Sequence, residues 1–268
     1  MAKKIPVMEI FGPTIQGEGM VIGQKTMFLR TGGCDYSCSW CDSAFTWNGE
    51  QKAKMLTAQE VFDEIMFEGM SHKDAEGYMY GRYDLPIGVE TTSTRNFNHV
   101  TISGGNPALI GEPMAELVTM LHEKGIKVGL ETQGSRWQDW FYNIDDLTIS
   151  PKPPSSGMVT NWDRLDEVIS KLNERSMQNG RPDNFTLKVV VFDDEDFEYA
   201  KKVHSRYPYV GFYVSVGNEN ATEPGDISSR LIGKLDWLWS KVLADPDMND
   251  VRPLPQLHTL VWANKRGV

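Results

Sequence analysis

The stretch Thr26–Asp42, TMFLRTGGCDYSCSWCD, joins an apolar strand pattern to a glycine-rich loop that carries all three cysteines of the chain. Cys34, Cys38 and Cys41 have the spacing Cys-x3-Cys-x2-Cys. Side chains on so short a loop converge on one centre, and thiolates are soft ligands that select zinc, copper(I) or iron–sulfur clusters. Their close clustering excludes a distributed disulfide framework and predicts a soluble, cytoplasmic chain.

The number of thiols decides which metal centre is expected. A closed zinc site needs four protein ligands, and the five histidines, at positions 72, 99, 122, 204 and 258, lie far from the loop in sequence. A zinc site completed by one of these histidines is one alternative, and three unrelated buried thiols are another. A four-iron cluster held by three cysteines keeps one iron free of protein ligands, and the spacing favours this centre.

Composition limits the class of protein. The 268 residues include 27 Lys and Arg against 37 Asp and Glu, a formal charge of −10, and 40% are hydrophobic. That hydrophobic content supports a sizeable core, and the acidic charge argues against broad binding of nucleic-acid phosphates. No apolar run approaches the roughly 18 residues that a membrane-spanning helix needs. Lys3 and Lys4 are not followed by the apolar region of a secretory signal.

Short apolar or β-branched runs alternate with amphipathic segments along the chain. The predicted strands are Val7–Phe11, Thr26–Thr31, His99–Ser103, Ile126–Glu131, Leu147–Ser150, Phe185–Phe192 and Val210–Val216. The first predicted helix begins at the capping box Thr57–Glu60. The second begins near Pro113 and ends at Gly125, and the third includes Leu165–Leu172. Two further helices are predicted at Asp194–Arg206 and Ile227–Val242. This alternation implies parallel strands. The expected fold is α/β, an open, partial TIM-like barrel with its ligand site at the carboxyl ends of the strands.

The chain shows no internal repeat and no linker between domains. Residues 1–268 are therefore predicted to form a single domain. Gly69–Phe97 is rich in Gly, Tyr and Thr and poorly periodic. A segment of that length is usually functional or disordered, and we interpret it as an insertion or lid.

The cysteine motif resembles the signature of the radical S-adenosylmethionine (SAM) superfamily, with Trp40 directly before the last cysteine. The resemblance implies a partial barrel of the radical SAM type and a [4Fe–4S] cluster whose open iron binds SAM. Reduction then releases a 5′-deoxyadenosyl radical, so that the cofactor carries the difficult chemistry. The implied SAM-binding residues are Trp40, Asp42, Gly104, Gly105, Asn106, Thr132, Ser150, Pro151, Lys152, Ser215, Val216, Gly217 and Asn218.

Polar residues before the cysteines suit a heterocyclic ligand. Gln16 and Glu18 are flanked by glycines that permit close approach, and Arg30 offers a planar fork for a carboxylate. Together with Glu131–Gly134 and Ser150–Lys152, this arrangement resembles the 7-carboxy-7-deazaguanine synthase family, specifically the form found in bacilli. The resemblance runs from Val7 to the C-terminal residues, and Gly69–Phe97 is its main departure.

That family converts 6-carboxy-5,6,7,8-tetrahydropterin to 7-carboxy-7-deazaguanine, with ring contraction and loss of ammonia, on the route to queuosine and tRNA modification. The resemblance implies that Arg30 and the three cysteines are catalytic and that Ser43 binds Mg²⁺. The implied substrate-binding residues are Ile15, Gln16, Gly17, Glu18, Arg30, Ser103, Glu131, Gln256 and His258. A homodimer and a flavodoxin-like reducing partner are also expected.

Two other functions stay open at this point. Enzymes that place a glycyl radical on a partner protein share the cysteine spacing, although that function has no use for Gln16, Glu18 and Arg30. A zinc-stabilised binding module without catalysis is the second alternative. A brown colour in anaerobically purified protein distinguishes an iron–sulfur protein from a colourless zinc protein.

Overall fold

The computed structural model describes residues 3–74, 79–80, 91–179, 184–219 and 225–268. The strands are β1 (Ile5–Ile15), β2 (Lys25–Thr31), β3 (Lys54–Leu56), β4 (Met70–Asp74), β5 (Met79–Tyr80), β6 (Thr91–Arg95), β7 (His99–Gly104), β8 (Lys127–Thr132), β9 (Asp146–Ile149), β10 (Phe185–Val191), β11 (Gly211–Val216) and β12 (Arg252–Leu254). The α-helices are α1 (Ala58–Glu68), α2 (Glu112–Glu123), α3 (Trp162–Asn179), α4 (Asp194–Arg206), α5 (Ile227–Ala244) and α6 (Leu257–Trp262).

Nine strands form the large sheet, in the order β3-β1-β2-β7-β8-β9-β10-β11-β12. From β2 to β12 each neighbouring pair is parallel, whereas β1 pairs antiparallel with both β2 and β3. Because β3 and β12 stand at opposite ends of this order, the sheet is not closed in the described part of the chain. The predicted open α/β barrel of mostly parallel strands is confirmed.

The parallel register brings the carboxyl ends of the strands to one edge. Arg30 at the end of β2 pairs with Ser103 of β7, and Thr132 at the end of β8 pairs with Ile149 of β9. The loops that follow these strands therefore meet above the same edge. Ligand sites of parallel α/β folds lie at this edge.

Each predicted strand and helix is present, with bounds that differ by a few residues. The capping box at the start of α1 is formed: the Thr57 side chain accepts from the Glu60 backbone N–H, and the Glu60 carboxylate accepts from the Thr57 N–H. Sequence patterns missed β3, β12 and α6. Segments of three to six residues are too short to show a hydrophobic period.

The segment interpreted as an insertion, Gly69–Phe97, lies partly outside the described residues, since 75–78 and 81–90 are not described. Its described part contains β4, β5 and β6, which form a separate antiparallel sheet in the order β5-β4-β6. The poorly periodic sequence therefore did not predict these strands, because strands of two to five residues are too short to show alternation of polar and apolar residues. Its action as a lid, and the single-domain organisation of residues 1–268, stay predictions.

The core is formed by the large sheet and the helices that cover it. On α2, Met114, Leu117, Val118 and Leu121 are fully buried at helical spacing. All seven residues of β10 are buried, as expected of a central strand covered on both faces. Among the described residues, no helix combines the length and the apolar character needed to cross a bilayer.

Candidate active site

A cleft opens at the carboxyl ends of the parallel strands and encloses about 1280 Å³ including its mouth. Most of the residues predicted from the sequence lie on its wall. They are Ile15, Gln16, Gly17, Glu18, Arg30, Cys34, Cys38, Trp40, Cys41, Asp42, Ser43, Ser103, Gly104, Gly105, Glu131, Thr132, Ser150, Lys152, Gly217, Asn218, Gln256 and His258. The sheet order thus brings together groups up to 243 residues apart, Ile15 and His258.

The cysteine loop is fixed by close backbone contacts. The Gly33 N–H donates to the Thr46 carbonyl over 2.8 Å, and the Gly33 carbonyl accepts from the Asn106 N–H over 2.8 Å. A Cβ on Gly105 would lie 1.9 Å from the Gly33 oxygen, so only glycine permits this approach. The loop after β7 therefore packs directly on the cysteine loop.

The three thiols are free and face the cleft. Burial raises the pKa of Cys34 and Cys41, and raises the pKa of Cys38 to about 11. Donors already point at the sulfurs: the Tyr36 N–H lies 3.4 Å from Cys34 Sγ, and the Trp47 indole N–H lies 3.4 Å from Cys41 Sγ. The N–H donors aimed at the sulfurs would stabilise thiolates. A bound metal centre would supply the positive charge that deprotonation of such thiols requires.

The spacing of the sulfur atoms is relevant to whether the three thiols bind a zinc ion or an iron–sulfur cluster. In the described residues, the set of three His, Cys, Asp or Glu side chains whose ligand atoms all lie within 4.8 Å is Glu18, Asp42 and His258, not the three cysteines. Sulfurs bound to one tetrahedral zinc ion lie only about 3.8 Å apart, given a Zn–S bond of about 2.3 Å. Among the described residues, at least one pair of the three sulfurs therefore lies more than 4.8 Å apart, wider than the spacing that a single zinc ion would impose.

Polar groups predicted to bind SAM line the wall next to the cysteines. Gly104 has a φ of +119°, and a Cβ there would lie 2.4 Å from the backbone of Thr31. The Lys152 ammonium lies 3.4 Å from Ser150 Oγ and 5.9 Å from the centre of the Trp40 ring. This side of the cleft offers backbone groups, a hydroxyl and a cation, which fit the amino and carboxylate groups of an amino acid.

Four residues of the predicted SAM site lie off the wall: Asn106, Pro151, Ser215 and Val216. The Asn106 side chain is fully buried and binds Asp35, Ser135, Thr132 and the Ala108 N–H. It therefore ties together the loops after β2, β7 and β8 instead of facing the cleft. The Ser215 hydroxyl is fully buried and has no hydrogen-bond partner among the described residues.

Arg30, which also lines the cleft, is held by contacts with three side chains. Its guanidinium donates to Ser43 Oγ over 2.9 Å, lies 3.6 Å from the Glu9 carboxylate, and lies 5.5 Å from the centre of the Phe11 ring. The Ser43 hydroxyl donates in turn to Asp42 over 2.9 Å. These contacts fix the plane of the guanidinium before any ligand binds, as a bidentate carboxylate site requires.

One charged residue of the cleft, Lys188 of β10, was not predicted from the sequence. Its ammonium contacts the Glu18 carboxylate, and the side chain is only 5% exposed. A lysine within the apolar run Phe185–Val191 was the available signal, because lysine is almost never buried unless it is paired. The cleft wall also includes Phe11, Phe28, Tyr36, Trp47, Gln133, Val190, Phe192 and Val268.

Carboxylates and amides form the floor next to Lys188. Gln16 donates to Glu131 over 3.1 Å, and Gln256 donates to Glu18 over 3.3 Å. Burial favours the neutral form of both acids. It raises the pKa of Glu131, whereas for Glu18 the charge of Lys188 and the hydrogen bonds outweigh burial and lower the pKa. The floor thus offers the ionised Glu18 carboxylate, the carboxyl group of Glu131 and amide groups, which suit a heterocycle that carries N–H donors.

Comparisons with known proteins agree with this site. No protein-family model matches the chain. The 7-carboxy-7-deazaguanine synthase of Bacillus subtilis is 53% identical over 272 residues and covers 100% of both chains, and that of Bacillus cereus is 51% identical over 269 residues and covers 99% of both. The crystal structure of QueE from Escherichia coli, 20% identical, matches 95% of each chain with a TM-score of 0.56 and so shares the fold. The chain belongs to the 7-carboxy-7-deazaguanine synthase family, a family of radical SAM lyases.

Proposed function

We propose that the chain converts 6-carboxy-5,6,7,8-tetrahydropterin to 7-carboxy-7-deazaguanine with ring contraction and loss of ammonia, a step in 7-deazapurine (queuosine) biosynthesis. One observation carries the proposal: Arg30 and the floor of Glu18, Glu131 and Lys188 share a cleft with three unpaired thiols. A carboxypterin has the matching groups, a carboxylate and a ring rich in N–H donors.

Some residues of the cleft would bind the cofactors, and others would bind the substrate. Cys34, Cys38 and Cys41 would hold a [4Fe–4S] cluster, which together with SAM supplies one-electron chemistry and a hydrogen-abstracting radical when bound. Lys152 and Ser150 would bind the carboxylate of SAM. Aromatic side chains on the wall, Phe11, Phe28, Trp47 and Phe192, cover apolar surface and exclude water from the reacting atoms.

On the substrate side, Arg30 binds the carboxylate of the pterin. Gln16, Glu18 and Glu131 hydrogen-bond the ring through their amide and carboxylate groups. The proposed site thereby fixes the substrate at both ends, and such positioning lowers the entropic cost of reaction. Ile15, Gly17, Ser103, Gln256 and His258 complete the substrate side of the wall.

We also propose a Mg²⁺ ion at Ser43. Magnesium prefers oxygen ligands and uses few protein groups together with substrate and water. The Ser43 hydroxyl and the Asp42 carboxylate lie 2.9 Å apart beside Arg30, which supports a shared site for the ion and the substrate carboxylate.

The test of this function is anaerobic reconstitution. Protein supplied with iron, sulfide, SAM, dithionite and the carboxypterin is expected to form 7-carboxy-7-deazaguanine and 5′-deoxyadenosine, both measured by liquid chromatography. Chelation followed by return of Mg²⁺ is expected to lower and then restore the rate. Cys38→Ser, treated identically, is the matched control and should give neither compound. Wild-type protein that binds iron yet forms no product would contradict the assignment.

A reducing partner of the flavodoxin type is part of the proposal. A groove beside the cysteine loop is lined by Asp35, Tyr36, Arg136 and Arg164, among others. Both arginine side chains are more than half exposed. Each guanidinium lies beside a carboxylate of the same groove, Arg136 beside Asp35 and Arg164 beside Glu167. On a chain of net charge −10, two exposed cations in a groove that includes residues of the cysteine loop support the approach of an acidic electron carrier.

The assembly proposed is a homodimer in the cytoplasm. Ile232, Trp239 and Leu243 lie on one face of α5, at spacings of seven and four, and are 57%, 47% and 86% exposed. Trp237, by contrast, packs against the core. An exposed apolar face of this kind supports association, and three unpaired thiols support a reducing compartment.

A further inference from the structure

Asp196 is a buried carboxylate to which the proposed reaction assigns no task. It lies in the first turn of α4 and is fully buried. Its Oδ1 accepts from the Ser155 N–H over 3.0 Å, and its Oδ2 accepts from the Ser155 hydroxyl over 2.6 Å and from the Phe192 N–H over 3.1 Å. Burial of a carboxylate is costly unless hydrogen bonds compensate for it. Asp196 thus joins α4 firmly to the loop after β9 and to the residue that follows β10.

The Ser155 hydroxyl extends this contact to the cysteine loop. A hydroxyl has one proton, and since an ionised carboxylate only accepts, that proton points to Asp196. The Ser155 oxygen can then accept in turn, and the Trp40 indole N–H donates to it over 3.0 Å. Ser39, next to Trp40, donates through its hydroxyl to the Ser155 carbonyl over 2.8 Å. The direction of each hydrogen bond from Trp40 to Asp196 is therefore fixed.

Trp40 and Phe192 form an aromatic part of the cleft wall. Both side chains line the cleft, whereas Ser155 and Asp196 do not. The two rings lie 4.9 Å apart, and the Lys152 ammonium lies 5.9 Å from the centre of the Trp40 ring. Asp196 holds Phe192 through its backbone N–H and Trp40 through Ser155. One carboxylate behind the wall thus supports both rings beside the cation that is proposed to bind the carboxylate of SAM.

We propose that Asp196 is a positioning residue for SAM, an inference that rests on the proposed SAM site: through the Ser155 hydroxyl, Asp196 fixes the indole of Trp40, so that Trp40 and Phe192 form an apolar wall for the adenine ring. Adenine is the flat aromatic part of SAM, and aromatic side chains bind such rings by contact of their faces and edges. A wall that is fixed before SAM binds avoids the entropic cost of ordering it on binding. Loss of the contact should therefore weaken SAM and leave the substrate side unchanged.

Two substitutions interrupt the contact at different points. Ser155→Ala removes the hydroxyl and leaves the Trp40 N–H without this acceptor. Asp196→Asn keeps the size of the side chain, but in either orientation its amide N–H groups face a backbone N–H that now donates to the carboxylate. Asp194→Asn is the matched control, because it removes a carboxylate from the same turn of α4 that is 74% exposed and pairs with Lys241.

Binding is measured by anaerobic calorimetry on cluster-containing enzyme without a reductant, so that no turnover occurs. We expect Ser155→Ala and Asp196→Asn to raise the Kd of SAM about 3- to 10-fold, the usual effect of one lost hydrogen bond. The Kd of the carboxypterin, titrated at saturating SAM, should stay at the wild-type value, and Asp194→Asn should match wild type for both ligands. Trp40→Phe lacks the N–H, so adding Ser155→Ala to Trp40→Phe should raise the Kd of SAM no further.

A second measurement needs neither cluster nor SAM. Full-length protein labelled with ¹⁵N-tryptophan has eight indole N–H groups, and the spectrum of Trp40→Phe identifies the signal of Trp40. Its proton should exchange with deuterium oxide about 3- to 10-fold faster in Ser155→Ala and Asp196→Asn than in wild type and Asp194→Asn, because the hydrogen bond that protects it is lost.

Each other outcome overturns the role. Wild-type affinity for SAM in Ser155→Ala, or a Trp40 signal that exchanges equally fast in all proteins, shows that the contact does not hold the indole for SAM. Equal losses for SAM and the carboxypterin show a general structural effect, and a further loss when Ser155→Ala is added to Trp40→Phe shows that the indole is bypassed. If Asp196→Asn does not fold, Ser155→Ala decides alone. Wild type that binds SAM yet neither binds nor converts the carboxypterin refutes the proposed function and leaves the role of Asp196 intact.

Discussion

At the scale of single residues, Arg30 is the group that we propose binds the carboxylate of the ligand. Its guanidinium is held by Ser43, Glu9 and the Phe11 ring. Glu9 is shared with Arg266 of the C-terminal segment, whose guanidinium lies over the Phe45 ring. A planar cation fixed in this way can hold a carboxylate by two parallel hydrogen bonds, a geometry that lysine does not offer.

We therefore expect Arg30→Ala to lower kcat/KM for the carboxypterin about 100-fold or more, because two charge-assisted hydrogen bonds are lost. Equilibrium binding of tetrahydropterin without the carboxylate should change little. Calorimetry with the two ligands makes the comparison. Equal losses for both ligands would show that Arg30 supports the fold instead of the carboxylate. Unchanged turnover of the carboxypterin would show that Arg30 does not bind its carboxylate.

At the scale of elements, the glycine pair after β7 determines how closely this loop approaches the cysteine loop. The Gly105 Cα faces the Gly33 carbonyl, and the Asn106 N–H completes the contact over 2.8 Å. Because the cysteines follow Gly33 directly, the packing of one loop on the other fixes where the thiols point. The position of the metal centre is thus a property of two adjacent strands, β2 and β7.

Gly105→Ala is expected to lower Tm by about 5 °C or more and to reduce the iron retained after reconstitution, since the new methyl group collides with backbone. Gly233→Ala is the matched control, because nothing lies within 4 Å of a Cβ at this helical position. That change should stabilise the protein by about 0.5–1 kcal/mol. Scanning calorimetry and iron analysis measure both effects. A Gly105→Ala protein with normal Tm and iron content would refute the argument.

At the scale of the whole molecule, the exposed face of α5 remains after the core is complete. Leu231 and Leu238 of the same helix are buried, whereas Ile232, Trp239 and Leu243 face outward. The helix is therefore apolar on two sides. One side packs on the sheet next to β11 and β12, and the other is available to a second copy of the chain.

Leu243→Asp is expected to shift the protein from dimer to monomer, because a carboxylate at an apolar interface must be desolvated without a partner. Sedimentation velocity at several concentrations measures the change. Tyr209→Ser, at another exposed residue that is 70% accessible, should leave the association unaltered. A wild-type monomer would refute the proposed dimer, and a variant that still dimerises would place the interface elsewhere.

The sequence by itself determined the open parallel barrel, the clustering of the three cysteines and most of the cleft wall. Regular alternation of strands and helices admits few topologies, and the thiols lie within one loop, so both are encoded locally. The strands β4, β5 and β6 within Gly69–Phe97, and the short strands β3 and β12, were not predicted, because strands of two to five residues are too short to show a hydrophobic period.

Only the tertiary structure decided which polar groups meet. Asn106 faces its neighbouring loops because its hydrogen-bond partners are Asp35 after β2, Ser135 after β8 and Thr132 at the end of β8, and Ser215 is fully buried. Lys188 becomes part of the floor of the cleft because the sheet order places β10 near Glu18 and Glu131. Glu18 is 170 residues and Glu131 is 57 residues away from Lys188 in sequence. Ion pairing across such distances depends on strand order and on burial, and neither is written in the local pattern of residues.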